Sequence, residues 1–120
     1  MRDPLALTSL APLLCAASVA HAHAMLDHAS PRVGSTIAGA PAELSLWFTQ
    51  EVEPVFSKIE VRDSNGSRVD EGDVRPDASD PTELHIALKP LPRGTYEVRW
   101  QVLSVDTHTT EGRFRFSVDK

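Results

Sequence analysis

A chain of 120 residues with a formal net charge of −5 is long enough for one domain and no more. The acidic balance argues against nucleic acid or an anionic membrane surface as a partner, since both are held by basic surfaces, and it suits a cation. Cys15 is the only cysteine and lies in the apolar N-terminal segment, so no disulfide can staple the remainder, which must rely on its own core.

Residues 1–22 read as a signal peptide. Leu5 to Ala20 is apolar or small and uncharged, interrupted by Pro12, with Arg2 the one basic residue ahead of it. The run falls short of the roughly 20 residues that a membrane span needs, and Pro12 disfavours a regular core helix. Ala20-His21-Ala22 is a small-residue cleavage site, and Ser18-Val19-Ala20 is a second. Leu14 fits poorly before a lipoprotein cysteine. The expectation is export, with residues 23–120 as the working domain.

Beyond Pro31 the pattern is β throughout. Weaker strands are expected around Met25–Asp27 and Ser35–Ile37. Leu44, Leu46 and Phe48 alternate with Ser45 and Trp47, the period of two of a strand buried on one side. Phe56 to Arg62 predicts another, with Ile59 and Val61 on one face. Residues 63–82 form the one long polar stretch. Its acidic side chains match no calcium-loop spacing, so a solvated loop, part hairpin, is expected. Leu84, Ile86 and Leu88 predict a strand ended by Pro90. Tyr96, Val98, Trp100 and Val102 form the longest alternation, and Phe114, Phe116 and Val118 close the chain in the same way. Turn signals at Ser30-Pro31, Ala40-Pro41, Asn65-Gly66, Asp80-Pro81 and Pro92-Arg93-Gly94 separate these runs. Short strands at such spacing imply an all-β sandwich or Greek-key barrel.

Two stretches carry ligand-type side chains. Asp106-Thr107-His108 lies between the last two strands, and in an extended segment its first and third residues leave the same face. A carboxylate and an imidazole there suit a divalent transition metal, although alone D-x-H is a weak signal. The second stretch is His21-Ala22-His23, at the cleavage site. A terminal histidine offers its α-amine and Nδ1 to one ion as a six-membered chelate, and the amine, with a reference pKa of about 7.7–8.0, loses its proton readily. With His108 this makes three nitrogens, with Asp106 as an oxygen ligand beside them. That tetragonal N,O set is the Cu(II) preference, whereas zinc more usually draws on a tetrahedral one. A cut after Ala20 would instead start the chain at His21 and make a local peptide chelate with His23 as third residue. The cut after Ala22 is favoured.

Together these residues resemble the CopC family of periplasmic copper-resistance proteins. The resemblance runs over residues 23–120 and rests on Leu26, Ser30-Pro31, LSLWFTQEVEPVFS and PLPRGTYEVRWQVLSVDTHTTEGRFRFSV. It implies a seven-stranded Greek-key β-barrel or sandwich, cupredoxin- or immunoglobulin-like, that binds copper and does not catalyse. By position His23 is the N-terminal ligand, and Asp106 and His108 match the family's D-x-H. Some members carry a Cu(I) site of methionines in the central loop. Residues 63–82 contain neither Met nor His, so one Cu(II) ion and no Met-rich site is expected. Some members also place a glutamate near the copper. Gln50 stands at that point here, and its neighbour Glu51 is left out of the site.

The remaining candidates are weaker. His28, with Asp27, is expected at the surface, His85 as structural or exposed, and Trp47 and Trp100 as packing residues. No serine stands in a nucleophile turn. The function implied is that of a periplasmic monomer binding copper for resistance, sequestration or delivery to a separate inner-membrane importer. Two rivals remain: an N-terminal-His copper oxidase cutting polysaccharide, and a metal-free immunoglobulin-like interaction module.

Overall fold

The structure, a computed structural model, describes residues 23–120. The expected signal segment lies outside the described residues. Eight strands form rather than seven, two of them only two residues long: β1 Leu26–Ser30, β2 Thr36–Ile37, β3 Glu43–Phe48, β4 Lys58–Arg62, β5 Arg75–Pro76, β6 Glu83–Ala87, β7 Gly94–Leu103 and β8 Thr109–Val118. They make two four-stranded sheets, ordered β1-β3-β6-β5 and β2-β8-β7-β4. The chain passes between sheets after β1, β2, β3, β4 and β6, the crossing pattern of a Greek-key sandwich.

The alternation in the sequence sets which side of each sheet is covered. Leu44, Leu46 and Phe48 of β3 and Leu84 and Ile86 of β6 point inward from the first sheet. Ile59 and Val61, Tyr96, Val98, Trp100 and Val102, and Phe114, Phe116 and Val118 meet them from the second. The Tyr96 hydroxyl donates to the Pro92 carbonyl oxygen, so the one polar atom of that ring is satisfied.

Two expectations fail locally. Phe56, expected to open the strand that runs to Arg62, instead ends a turn of 3-10 helix over Pro54–Phe56 and lies 65% exposed, and β4 starts at Lys58. Pro54 has no amide hydrogen to give a ladder, and its fixed φ suits the first turn of a helix. The polar stretch is also less solvated than expected. Arg62 bridges to Arg68 around the Asn65-Gly66 turn, as a hairpin should, but Val69 and Asp70 behind it are buried. The Asp70 carboxylate accepts from the Val61 amide at 2.7 Å, the Gly72 amide at 2.9 Å and the Arg68 guanidinium at 2.7 and 2.9 Å. A charge buried with four donors ties this excursion to β4.

Candidate metal centre

The β7–β8 connection is a tight hairpin loop, not the extended segment expected from its sequence. The Ser104 amide donates to the His108 carbonyl at 2.9 Å, the Thr107 amide donates to Ser104 at 2.8 Å, and Thr107 adopts φ +72°. It is the turn, with one residue in the left-handed region, that brings Asp106 and His108 together, and strand alternation plays no part. His108 Nδ1 lies 3.3 Å from Asp106 Oδ1.

Ser104 is fully buried and organises both side chains. Its hydroxyl donates to Asp106 Oδ1, lies 3.1 Å from the His108 carbonyl, and accepts from the His108 amide at 3.3 Å. The Ser104 hydroxyl, working against desolvation and helped by His108, holds Asp106 below the usual carboxylate range. Asp106 therefore stays an anion through mildly acidic conditions, as a cation ligand must.

The N-terminal strand arrives at the same end. Ala24 is fully buried, and its carbonyl accepts from Thr110 Oγ1 at 2.6 Å. The Met25 amide donates to Thr49 Oγ1 at 2.9 Å, and the Thr49 amide returns a bond to Met25 at 2.8 Å. Held between β8 and the end of β3, His23 presents its ring edge-on to His108, with centroids 4.6 Å apart at 86°. A cavity of about 560 Å³ opens beside it, lined by His23, Met25, Thr49 and Gln50.

His23, Asp106 and His108 thus share one exposed corner of the sandwich, yet their side-chain donors do not all converge. In the uncut chain the His23 nitrogen is a peptide nitrogen, so one expected donor is still tied up covalently. Among the described residues the group whose donor atoms all lie within 4.8 Å of one another is a different one: Asp77, Glu83 and His85. That group was not anticipated.

The weaker candidates separate clearly. A bulge in β1 between Leu26 and His28 leaves both Asp27 and His28 exposed. His28 Nδ1 lies 2.6 Å from Asp27, and its ring stacks on Trp47 at 4.3 Å, which places Trp47 outside the core. Trp100 is buried against Phe48. Glu51 meets the hairpin through its backbone, its carbonyl accepting from the Val105 amide at 3.2 Å.

Residues 26–119 match the sequence profile of the CopC domain. The chain belongs to the CopC family. It is 39% identical to CopC from Methylosinus trichosporium OB3b, whose crystal structure superposes with a TM-score of 0.76 over 81% of this chain and 94% of that one. PcoC of Escherichia coli, a methionine-rich copper resistance protein, is 32% identical, with a TM-score of 0.72 over 82% of this chain and 100% of that one. Copper resistance protein C of Xanthomonas campestris pv. juglandis is 32% identical over 86% of this chain and 85% of its own length. Copper transport protein CutJ of Bacillus subtilis is 35% identical over 82% of this chain, which spans only 18% of CutJ. The CopC fold and a copper-related role are therefore established. Unlike the methionine-rich PcoC, this CopC chain holds two methionines, Met1 and Met25.

Reading the sequence for ligands alone missed Ser104, whose signal was its place two residues ahead of Asp106 in S-x-D-x-H. It also missed the contribution of Asp77 and Glu83, which lie apart in sequence and meet only because β5 folds back on β6.

Proposed function

We propose that the exported chain begins at His23 and binds one Cu(II) ion through the His23 amine and imidazole, the His108 imidazole and the Asp106 carboxylate. The observation that carries this is the apposition of His23 and His108, 85 positions apart, with Asp106 Oδ1 3.3 Å from His108. Cleavage after Ala22 frees the amine at this corner, giving three nitrogens and one oxygen, the donor set Cu(II) prefers. Without thioether ligands beyond Met25, the centre favours Cu(II) over Cu(I). The role is binding without turnover: the periplasmic monomer lowers free copper by mass action, or carries it to a separate inner-membrane importer.

The test is to purify the exported protein, read its N-terminus by mass spectrometry and titrate the same sample with Cu(II) under EPR. A terminus at His23, with one tight site lost in both Asp106→Ala and His108→Ala, is the expected result. A terminus at His21, with binding indifferent to those substitutions, would reduce the centre to a terminal peptide chelate.

A further inference from the structure

We propose that Asp77, Glu83 and His85 form a second metal site that takes a divalent transition-metal cation of the zinc and copper class. It lies on the outward face of the β1-β3-β6-β5 sheet and shares no residue with His23, Asp106 and His108. The two sites therefore stand or fall separately.

His85 Nε2 lies 2.9 Å from Asp77 Oδ1 and 3.2 Å from Glu83 Oε2. One ring nitrogen carries at most one proton, yet two carboxylates converge on it. Around a zinc ion with ligand bonds of about 2.0–2.2 Å, neighbouring donors of a tetrahedron stand roughly 3.3–3.6 Å apart. The two observed separations fall slightly short of that range, so a small outward relaxation of the donors admits the ion between them. Two carboxylates balance a divalent charge, and the imidazole supplies the nitrogen that separates this donor set from a simple acidic cluster, which would favour calcium or magnesium.

The donors are held in place before any ion arrives. Asp77 Oδ2 accepts from the Ser79 amide at 3.0 Å, the Ser79 hydroxyl at 3.1 Å and the Asp80 amide at 3.1 Å, which leaves Oδ1 aimed at His85. The Asp77 amide donates to the Glu83 carbonyl at 3.0 Å, so the two carboxylate-bearing residues are tied through their backbones. On its far side, His85 Nδ1 lies 2.8 Å from Ser45 Oγ, the outer contact that orients a metal-binding imidazole. Glu43 is also near Nδ1, at 3.5 Å, but its other oxygen is engaged by Arg75 at 2.6 Å. The side chains of His85 and Glu83 are 14% and 13% exposed and that of Asp77 26%, which leaves a side open for water as a further ligand.

The experiment is a Zn(II) titration of the exported protein, followed by equilibrium dialysis and by the histidine ring 15N resonances. The expected result is a zinc-induced shift of His85 Nε2, with Nδ1 keeping its contact to Ser45. Asp77→Asn with Glu83→Gln should bind that ion at least tenfold more weakly, while Asp106→Ala with His108→Ala should retain it. His85 ring resonances unmoved by zinc, read on the unsubstituted protein, would overturn the proposal. So would an unchanged zinc stoichiometry in the Asp77→Asn, Glu83→Gln variant together with a lowered Tm, because His85 would then be a hydrogen-bonded clamp between β5 and β6 and nothing more.

Discussion

At the residue scale the most consequential side chain in the hairpin is one with no metal-binding atom of its own. Ser104 touches Asp106 through its hydroxyl and His108 through the backbone, from a fully buried position. Ser104→Ala removes that hydroxyl without adding bulk. The expected outcome is a loss of about 1–3 kcal/mol in unfolding free energy, from the contacts left unmade, and a fall of about 10–100-fold in Cu(II) affinity, as for the loss of an outer orienting partner. Denaturant melts and copper competition titrations on the same preparation would separate the two; unchanged affinity would mean that Asp106 and His108 are positioned by the turn alone. The identities of Asp106 and His108 as ligand types were legible in the sequence. That they lie together was expected as well, but from strand alternation, whereas it depends on Thr107 adopting a left-handed φ that a threonine rarely takes.

At the scale of elements, β7 and β8 pair over ten residues and carry the hairpin at their tip. Gly112 sits opposite Trp100 in that ladder, and a Cβ added there would lie 2.6 Å from the indole ring. The ring fills the space that a side chain would need. Gly112→Ala must therefore displace the Trp100 ring from its packed position, and a destabilisation of about 1–3 kcal/mol is expected, visible as a lower Tm and a shifted tryptophan emission. The strands themselves were readable from period-two alternation, since each inward face is apolar and each outward face polar. What the alternation could not reveal was the bulge in β1, the helical turn at Pro54 or the short β5, because none repeats long enough to make a pattern.

At the scale of the whole molecule, the buried Asp70 is one carboxylate whose charge contributes to stability against acid. Burial alone would raise its pKa, but the Arg68 guanidinium and the Val61 and Gly72 amides together hold it below the ordinary aspartate value. A carboxylate with a folded pKa lowered in this way stabilises the fold fully above its unfolded pKa of about 3.9, and that contribution is lost as pH falls through the lower folded value. Asp70→Asn is expected to cost about 1–3 kcal/mol near neutral pH and to flatten the pH dependence of Tm below about pH 4. A parallel drop in both proteins would place the acid sensitivity elsewhere. The polar composition of residues 63–82 concealed this, since a buried aspartate reads in sequence like its solvated neighbours.

The tie between Ala24 and Thr110 has a consequence for timing. Among the described residues, hydrogen bonds at Ala24 and Met25 anchor the N-terminal strand, starting one position after the nitrogen that copper would use in the proposed site. If the chain is cut before His23 as proposed, the sandwich would be complete before and after the cut, while the amine would exist only after it. On the proposed reading, folding and metal competence would be separate events, with cleavage before His23 licensing the second. A chain that escaped cleavage would be a well-folded protein lacking its strongest chelate, and the copper content of cut and uncut forms from one preparation would record the difference.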